Sequence, residues 1–269
     1  MRVPFRKMHG LGNDFVVIDT REAPLAMSAR RAAALADRHT GIGCDQLIVI
    51  EASDVATVRM RIFNHDGSEV EACGNATRAV GLLLGGDSTI ETLGGLLSAR
   101  NAGDGVSVDM GKPRFGWNDI PVAYAMDTLE MPVGWEDLEG PVGVNVGNPH
   151  AIFFVRDCDE VELDRLGPLI EHDPLFPERV NVNVATIEDE GRIRLRVWER
   201  GAGLTRACGT GACATAVAAM RRKLVGPEVT VELPGGDLVI AWRDGGTITM
   251  TGPATLAFEG QFESADYPL

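Results

Sequence analysis

Two short stretches of the sequence place a cysteine and a glycine at the start of a segment with a helical pattern. The first is Cys73-Gly74-Asn75 and the second is Cys208-Gly209-Thr210, 135 positions later in a chain of 269 residues. The first N–H groups of a helix lack intrahelical partners, and the helix dipole adds positive charge at that end. A thiol placed there is expected to be acidified toward neutral pH, and the neighbouring amides can hold a carboxylate.

Two such helix starts facing one substrate would permit proton transfer at the carbon next to a carboxylate. One thiolate would remove the α-proton while the opposite thiol returned a proton to the other face. A general acid or base works best with a pKa near the operating pH, and preorganised amides can stabilise the carbanion. The carboxylate would be held by the residues that follow each cysteine, Gly74, Asn75, Gly209 and Thr210. The pattern predicts a two-base isomerase.

The second half of the chain repeats landmarks of the first half at the same offset of 135 positions. The repeat pairs Asn13 with Asn148, Gln46 with Asn181, Asn64 with Glu199 and Cys73 with Cys208. Such a repeat predicts an α/β (α+β) protein of two pseudo-symmetric domains, each a curled, mostly antiparallel sheet around a central helix. The landmarks would then meet at the seam, where ligand sites are common.

The predicted domains are residues 1–117, with the C-terminal segment 258–269 as a candidate addition, and residues 118–257. Helices are predicted over residues 29–38, after Cys73 and over residues 210–220. The last of these is so rich in small apolar residues that it should be enclosed on most sides. Gly10 and Gly12 indicate a loop before a buried strand, and residues 69–72 are strand-like.

Composition excludes several classes of protein. The net charge of −14 argues against nucleic acid or an anionic membrane as a partner. No apolar run approaches the length of a membrane span, and the N-terminus lacks a signal-peptide core, which predicts a cytoplasmic protein. Five cysteines without a CxxC pair argue against a disulfide framework and a structural zinc site. No metal is expected.

Several blocks of sequence carry a family resemblance. They are residues 8–15, 41–46, 63–69, 73–75, 147–150, 178–181, 199–203 and 207–211. In these blocks, which are spread over nearly the whole chain, the sequence resembles the diaminopimelate epimerases. The resemblance implies a cofactor-free, two-domain isomerase that interconverts LL- and meso-diaminopimelate for lysine and peptidoglycan synthesis. It also implies a homodimer with a small-molecule substrate.

The resemblance assigns roles to individual residues. Cys73 and Cys208 would be the acid–base pair, with His150 and Glu199 as candidates to assist them. The pocket would be lined by Asn13, Gln46, Asn64, Asn148, Asn181, Glu199 and Arg200. Arg200 offers a bidentate fork for the distal carboxylate of the substrate, and Glu199 can meet the distal ammonium. Such a polar site would reject substrates that lack the second amino-acid group.

Alternative functions remain open from the sequence. The nearest is a related cofactor-independent racemase of the proline or hydroxyproline type. A thiol redox protein, in which Cys73 and Cys208 cycle through a disulfide, belongs to another class. A third alternative is a module that binds amino acids without catalysis. Incorporation of solvent deuterium at the α-carbon of diaminopimelate would identify the epimerase among these.

Overall fold

The computed structural model describes residues 1–71, 73–103, 105–267 and 269. The chain divides into two compact units, one of Met1–Val108 with Gly252–Leu269 and one of Asp109–Thr251. Both combine many short strands with few helices, which confirms the predicted mixed α/β class. Among the helices in the described part of the chain, none has the length and apolar character that a membrane crossing requires.

The two units contain similar series of elements. The first unit begins with β1 (Arg2–Gly10), β2 (Asn13–Asp19), α1 (Ala29–Ala36), β3 (Gln46–Glu51), β4 (Val58–Asn64), β5 (Glu69–Val70), α2 (Gly74–Leu84), β6 (Ser88–Thr92), β7 (Gly95–Ala102) and β8 (Gly105–Asp109). The second contains β9 (Gly134–Trp135), β10 (Leu138–Glu139), β11 (Val142–Asn145), β12 (Pro149–Phe154), α3 (Leu163–Glu171), β13 (Asn181–Asp189), β14 (Arg192–Glu199), β15 (Gly203–Thr205), α4 (Gly209–Arg221), β16 (Glu228–Leu233), β17 (Gly236–Ala241) and β18 (Thr249–Gly252). The last strand, β19 (Thr255–Glu263), belongs to the first unit and pairs antiparallel with β1.

One pattern of strand pairing occurs in both units. In the first, β2–β3 and β4–β6 are parallel, and β1–β2, β3–β4, β4–β5, β6–β7 and β7–β8 are antiparallel. In the second, β12–β13 and β14–β16 are parallel, and β11–β12, β13–β14, β14–β15, β16–β17 and β17–β18 are antiparallel. The register also agrees. Phe15 pairs with Gln46 in the first unit, and the residues 135 positions later, His150 and Asn181, pair with each other in the second. The predicted internal repeat is therefore present in the fold.

The helices after the two cysteines are enclosed by their own units. In α4, Gly209 and every position from Gly211 to Ala219 are buried. This helix packs against β11 to β14, β16 and β17, and its small side chains allow that close approach. In α2, a Cβ atom on Gly81 would lie 2.8 Å from the Cβ of Ala99 and 2.9 Å from a methyl group of Val106. The prediction of an enclosed helix is confirmed for α4.

The prediction of a loop at Gly10 is wrong, because Gly10 is the last residue of β1. This strand forms hydrogen bonds with β2 and also with β19, from the far end of the chain. Such long-range pairing cannot be recognised from local glycine content. The turn itself consists of Leu11 and Gly12, whose φ angles of 56° and 92° match the type I′ turns of tight hairpins.

Two predicted elements are shorter in the structure. Helix α1 ends at Ala36 rather than at residue 38, because Asp37 leaves the helix with a ψ angle of 127°. The Asp37 carboxylate accepts the N–H groups of His39 and Thr40, which stabilises the turn instead of another helical residue. The strand-like segment 69–72 contains β5 (Glu69–Val70), and Ala72 lies outside the described residues.

Candidate active site

In the first unit the predicted residues lie at the start of α2 and at the ends of neighbouring strands. Cys73 is the N-cap of α2, with the extended angles φ −149° and ψ 112°, and Gly74 is the first helical residue. Asn13 begins β2 directly after the hairpin turn. Gln46 begins β3 and faces Asn64, the last residue of β4, in the antiparallel register. The parallel and antiparallel pairings together bring these strand ends side by side.

Asn13 and Asn75 are hydrogen bonded to each other. The Asn75 amide donates to Oδ1 of Asn13 at 3.2 Å, and the Asn13 amide donates to Asp45 at 3.1 Å. Behind them, the fully buried guanidinium of Arg78 donates to Oδ1 of Asn75 at 2.9 Å and to the carbonyl oxygen of Pro253 at 3.3 Å. The sequence interpretation missed Arg78 and Asp45, although Arg78 follows Asn75 by three positions on the same helix.

Gln46 presents an unused acceptor. Its amide nitrogen donates to Oδ1 of Asn64 at 3.1 Å, and Asn64 donates in turn to Ser68 at 3.1 Å. The Oε1 atom of Gln46 is buried and has no hydrogen-bond partner within the described residues. A buried carbonyl oxygen without a partner is costly, so this atom is suited to a donor group of a ligand.

In the second unit Cys208 occupies the position that Cys73 has in the first. It is the N-cap of α4, with φ −129° and ψ 105°, and only 4% of it is exposed. Gly209 is the first helical residue. The N–H group of Gly211 donates to the Cys208 sulfur at 3.3 Å, and Oγ1 of Thr210 lies 3.5 Å from the same sulfur. Two donors are therefore available to one sulfur atom.

The expectation that the helix start acidifies the thiol is wrong for Cys208. Burial raises the pKa of Cys208 well above its usual range, and the negative charge of Glu199 raises this pKa further. The hydrogen bonds from Thr210 and Gly211 act in the opposite direction but are outweighed. The desolvation of a thiolate is thus a larger effect here than the favourable end of a helix.

Glu199 lies at the end of β14, near enough to the Cys208 thiol for each group to shift the pKa of the other. The Thr205 hydroxyl donates to its Oε1 at 2.5 Å. Burial raises the pKa of Glu199, while the hydrogen bonds from Thr205 and Cys208 act to lower it. The carboxylate expected at a distal ammonium thus acts electrostatically on the sulfur of its own unit. The sequence interpretation did not single out Thr205 for this contact.

His150 is fully buried and linked to the same cluster. Its Nε2 lies 2.9 Å from Oδ1 of Asn148, and the Asn148 amide donates to Oγ1 of Thr210 at 3.3 Å. The bond from Asn148 to Thr210 corresponds to the bond between Asn13 and Asn75 at the same offset of 135 positions. Burial, together with the positive charge of Arg200, lowers the pKa of His150 to about 3. The imidazole is therefore neutral at neutral pH.

The side chain of Asn181 is used to shape the turn after β14. Its Oδ1 accepts the N–H group of Arg200 at 2.9 Å, and its amide donates to the carbonyl oxygen of Pro149 at 2.8 Å. The Arg200 side chain is exposed and donates to the carbonyl oxygen of Glu178 at 3.0 Å. Asn181 is 3% exposed, so its contribution in this structure is to hold Arg200 in place.

Glu171 supports the same turn and was not recognised from the sequence. It lies at the end of α3, is 2% exposed, and accepts the indole N–H of Trp198 at 2.7 Å and the N–H of Gly201 at 2.9 Å. Position 36 of the first unit, at the same offset, is an alanine. A local sequence pattern offers no signal for this contact, because its partners are about thirty residues away along the chain.

One group of potential metal ligands, Asp157, Cys158 and Asp159, has ligand atoms within 4.8 Å of one another. The guanidinium of Arg194 forms ion pairs with both aspartates. Because a positive charge already lies against both carboxylates, the group has the character of a structural ion-pair cluster. None of the predicted site residues belongs to it.

Comparison with known proteins gives the same family for both units. The family model described as diaminopimelate epimerase matches residues 5–116 and 142–257. A diaminopimelate epimerase of Rhizorhabdus wittichii is 66% identical over 262 residues, which is 97% of this chain and 96% of that protein. One of Erythrobacter litoralis is 62% identical over 268 residues, covering 99% of this chain and 100% of that protein.

Solved structures agree in fold at low identity. A phenazine biosynthesis protein of the PhzF family from Bacillus anthracis has a TM-score of 0.70 at 16% identity, covering 98% of this chain and 99% of that one. A hydroxyproline epimerase from Agrobacterium vitis has a TM-score of 0.67 at 16% identity, covering 97% and 92%. These likenesses support the fold alone. The match of the family model to both units and the near full-length identity to the two bacterial enzymes show that the chain belongs to the diaminopimelate epimerase family.

Proposed function

We propose that this protein is a cofactor-independent epimerase that interconverts LL-2,6-diaminopimelate and meso-diaminopimelate in the synthesis of lysine and peptidoglycan precursors. The observation that carries the proposal is the repeated arrangement at the two cysteines. Each caps the enclosed helix of its unit, and the second residue after it bonds to an asparagine, Asn13 in one unit and Asn148 in the other. Membership of the family supports the same reaction.

Cys73 and Cys208 are proposed as the acid–base pair. In one direction the Cys73 thiolate takes the α-proton, and the electron pair of the broken C–H bond stays on the carbon and its carboxylate. The Cys208 thiol then gives its proton to the opposite face. Cys73 ends as a thiol and Cys208 as a thiolate, so the return reaction uses the same groups with exchanged roles. The neighbouring charge of Glu199 and the raised pKa of Cys208 support its role as the proton donor in the resting protein.

The remaining residues are proposed to bind the substrate. The reacting carboxylate would accept the N–H groups at the starts of α2 and α4, where backbone donors have no helical partner. Those donors belong to Gly74, Asn75, Gly209 and Thr210. The exposed guanidinium of Arg200 suits the distal carboxylate, and the Oε1 of Gln46, which has no hydrogen-bond partner among the described residues, suits an ammonium group. Asn13, Asn64, Asn148 and Asn181 would complete the polar lining.

Deuterium exchange tests the reaction. In heavy water and excess thiol reductant, the purified protein should place deuterium at the α-carbon of LL-diaminopimelate while producing the meso isomer. Cys73→Ala and Cys208→Ala should each lose epimerisation by at least about a thousandfold, because each removes a proton-transfer group. Cys158→Ala is the matched control at a buried cysteine in another part of the second unit. Near-normal turnover in either active-site variant would refute the two-base mechanism.

The alternatives predict other outcomes in the same assay. A proline or hydroxyproline racemase would exchange deuterium into those amino acids and leave diaminopimelate unchanged. A thiol redox protein would show no exchange with any amino acid, and its cysteines would change oxidation state during turnover. A binding module would bind diaminopimelate without exchange. Each result would replace the epimerase proposal by a specific other function.

We also propose that the protein is a cytoplasmic homodimer whose contact includes β19. On this strand Leu256 and Phe258 are 43% and 52% exposed, which is high for apolar side chains of this size. Phe258→Asp should convert the dimer to a monomer in sedimentation velocity. Tyr124→Asp, at a residue 59% exposed in the second unit, is the control and should remain dimeric. A wild-type protein that sediments as a monomer would reject the dimer.

A further inference from the structure

A buried asparagine outside the predicted site determines how the hydrogen bonds around Cys208 are oriented. Asn183 lies in β13 and is fully buried. Its Nδ2 is 3.0 Å from Nδ1 of His150 and 3.3 Å from each of two carbonyl oxygens, those of Ala151 and Asn181. Carbonyl oxygens only accept hydrogen bonds, so the atom between them must be the NH₂ group of the amide. The reverse orientation would place the amide oxygen against both carbonyl oxygens, so the NH₂ position is assigned although Oδ1 is then buried with no hydrogen-bond partner among the described residues.

The orientation of Asn183 fixes the tautomer of His150. Because the NH₂ group donates, Nδ1 of His150 must be the nitrogen without a proton, and the neutral ring carries its proton on Nε2. The Nε2–H group then donates to Oδ1 of Asn148 at 2.9 Å. Asn148 consequently turns its own NH₂ group toward Oγ1 of Thr210, at 3.3 Å.

The hydrogen-bond directions set by Asn183 extend to the sulfur of Cys208. Since Oγ1 of Thr210 accepts from Asn148, the hydroxyl proton of Thr210 is available for the sulfur at 3.5 Å. The N–H group of Gly211 donates to this sulfur as well, at 3.3 Å. We infer that Asn183 is a positioning residue, which acts through His150, Asn148 and Thr210 to direct a hydroxyl donor at Cys208.

This inference rests on the proposed function and gives His150 a different part in it. Both ring nitrogens of His150 are engaged in the chain of hydrogen bonds, so the ring transmits orientation and does not itself exchange protons with substrate. A thiolate at Cys208, which forms whenever this residue gives up its proton, is stabilised by the donors directed at it. Asn183 lies two positions after Asn181, on the same face of β13, and this alternation is the sequence signal for it.

Nitrogen-15 NMR of histidine-labelled protein tests the first half of the inference without any turnover. In the wild type, His150 should show a protonated Nε2 and an unprotonated Nδ1 at neutral pH. In Asn183→Leu, which keeps similar volume but cannot donate, the two tautomers should both be populated. Asn101→Leu, at an exposed asparagine of β7, should keep the wild-type spectrum. A proton on Nδ1 of His150 in the wild type would overturn the inference.

A double-mutant cycle tests the second half. Asn183→Leu and Thr210→Val should each lower kcat by about three- to tenfold, the range expected for one hydrogen bond, with a smaller change in KM. If Asn183 acts through Thr210, the double variant should be no slower than Thr210→Val alone. Thr210→Ser, which keeps the hydroxyl group, should lose less activity than Thr210→Val. If the fold-decrease in kcat of the double variant equals the product of the two single fold-decreases, the inference is overturned.

The same double-mutant cycle can be measured without substrate. The readout is the rate at which iodoacetamide alkylates Cys208, followed by mass spectrometry. The rate should fall in both single variants and fall no further in the double variant. If the wild type fails to epimerise diaminopimelate but shows this pattern and the expected tautomer, the proposed function is wrong and the positioning role stands. If it epimerises diaminopimelate and the alkylation effects multiply, the positioning role is wrong and the function stands.

Discussion

The carboxylate of Glu199, at the end of β14, acts electrostatically on the thiol of Cys208 at the start of α4. Burial raises the pKa of Cys208, and the charge of Glu199 raises it further, so the sulfur retains its proton at neutral pH. Burial also raises the pKa of Glu199, which the Thr205 and Cys208 hydrogen bonds oppose. Cys208 is therefore in the protonated form that its proposed role as a proton donor requires.

Replacement of the Glu199 carboxylate should change the pKa of the Cys208 thiol. In Glu199→Gln the negative charge is absent, so the pKa of Cys208 should fall, although burial keeps it above the ordinary range. The ultraviolet absorbance of the thiolate, taken as the difference from the matching Cys208→Ser variant, measures this titration.

The matched control is Glu190→Gln, at an exposed glutamate on the turn between β13 and β14. It should leave both the thiolate titration and the turnover at wild-type values. An unchanged or higher pKa of Cys208 in Glu199→Gln would mean that the carboxylate does not act on the sulfur through its charge.

His150 should make stability depend on pH. Its pKa is about 3 in the folded protein against an ordinary value of 6.5, so the unfolded chain binds the proton first as the pH falls. Its contribution is therefore complete above about pH 6.5 and is lost progressively down to about pH 3, at roughly 1.4 kcal/mol per pH unit. Between about pH 7.5 and pH 5, urea unfolding should show a loss of about 2 kcal/mol that is absent in His150→Gln.

For this measurement the free energies of the wild type and the variant are compared at each pH, because carboxyl groups titrate in both proteins. His39→Gln, at an exposed histidine, serves as the control and should keep the wild-type slope. Equal slopes for the wild type and His150→Gln would indicate that folding does not lower the pKa of His150.

Glu171 should matter for substrate binding more than for proton transfer. In Glu171→Gln, the amide nitrogen would face either the indole N–H of Trp198 or the N–H of Gly201, and one donor would lose its acceptor. The variant should lose about 1–3 kcal/mol of stability. Because the turn carries Arg200, KM for diaminopimelate should rise by about three- to tenfold with a smaller change in kcat.

Glu178→Gln provides the comparison, since this glutamate is exposed and contributes its backbone carbonyl to Arg200. Both KM and stability should stay at wild-type values in that variant. If Glu171→Gln lowers kcat and leaves KM unchanged, the turn positions something other than a substrate-binding group.

The features that follow from the internal repeat of 135 positions could be predicted from the sequence. The offset between Cys73 and Cys208 located the two enclosed helices, and the same offset reproduces the strand register, as in the pairing of Gln46 with Phe15 and of Asn181 with His150. These features follow from local patterns that occur twice. The segments that resemble the diaminopimelate epimerases indicated which further residues belong to the candidate site. The roles of those residues stay predictions.

The features that depend on burial and on distant partners were not predictable. The helix start at Cys208 suggested an acidified thiol, but desolvation and the charge of Glu199 have the larger effect. The partners of Glu171, and the His150 and Ala151 partners of Asn183, lie on other elements, so these hydrogen bonds exist only once the sheet has formed. A sequence pattern gives the side-chain type, whereas the electrostatic environment depends on the folded surroundings.

Gly211 should be the least tolerant small residue at the start of α4. A Cβ atom there would lie 2.8 Å from Oδ1 of Asn183, 3.0 Å from a methyl group of Val197 and 3.2 Å from the Cys208 sulfur. Gly211→Ala should therefore lose about 1–3 kcal/mol of stability and should displace the sulfur, which lowers turnover. Gly226→Ala is the matched control, because a Cβ atom at Gly226 would meet nothing within 4 Å. Chemical denaturation measures the change in stability, and initial rates measure the change in turnover. Equal stability of the two variants would show that the space beside Gly211 and the Cys208 sulfur can hold a methyl group.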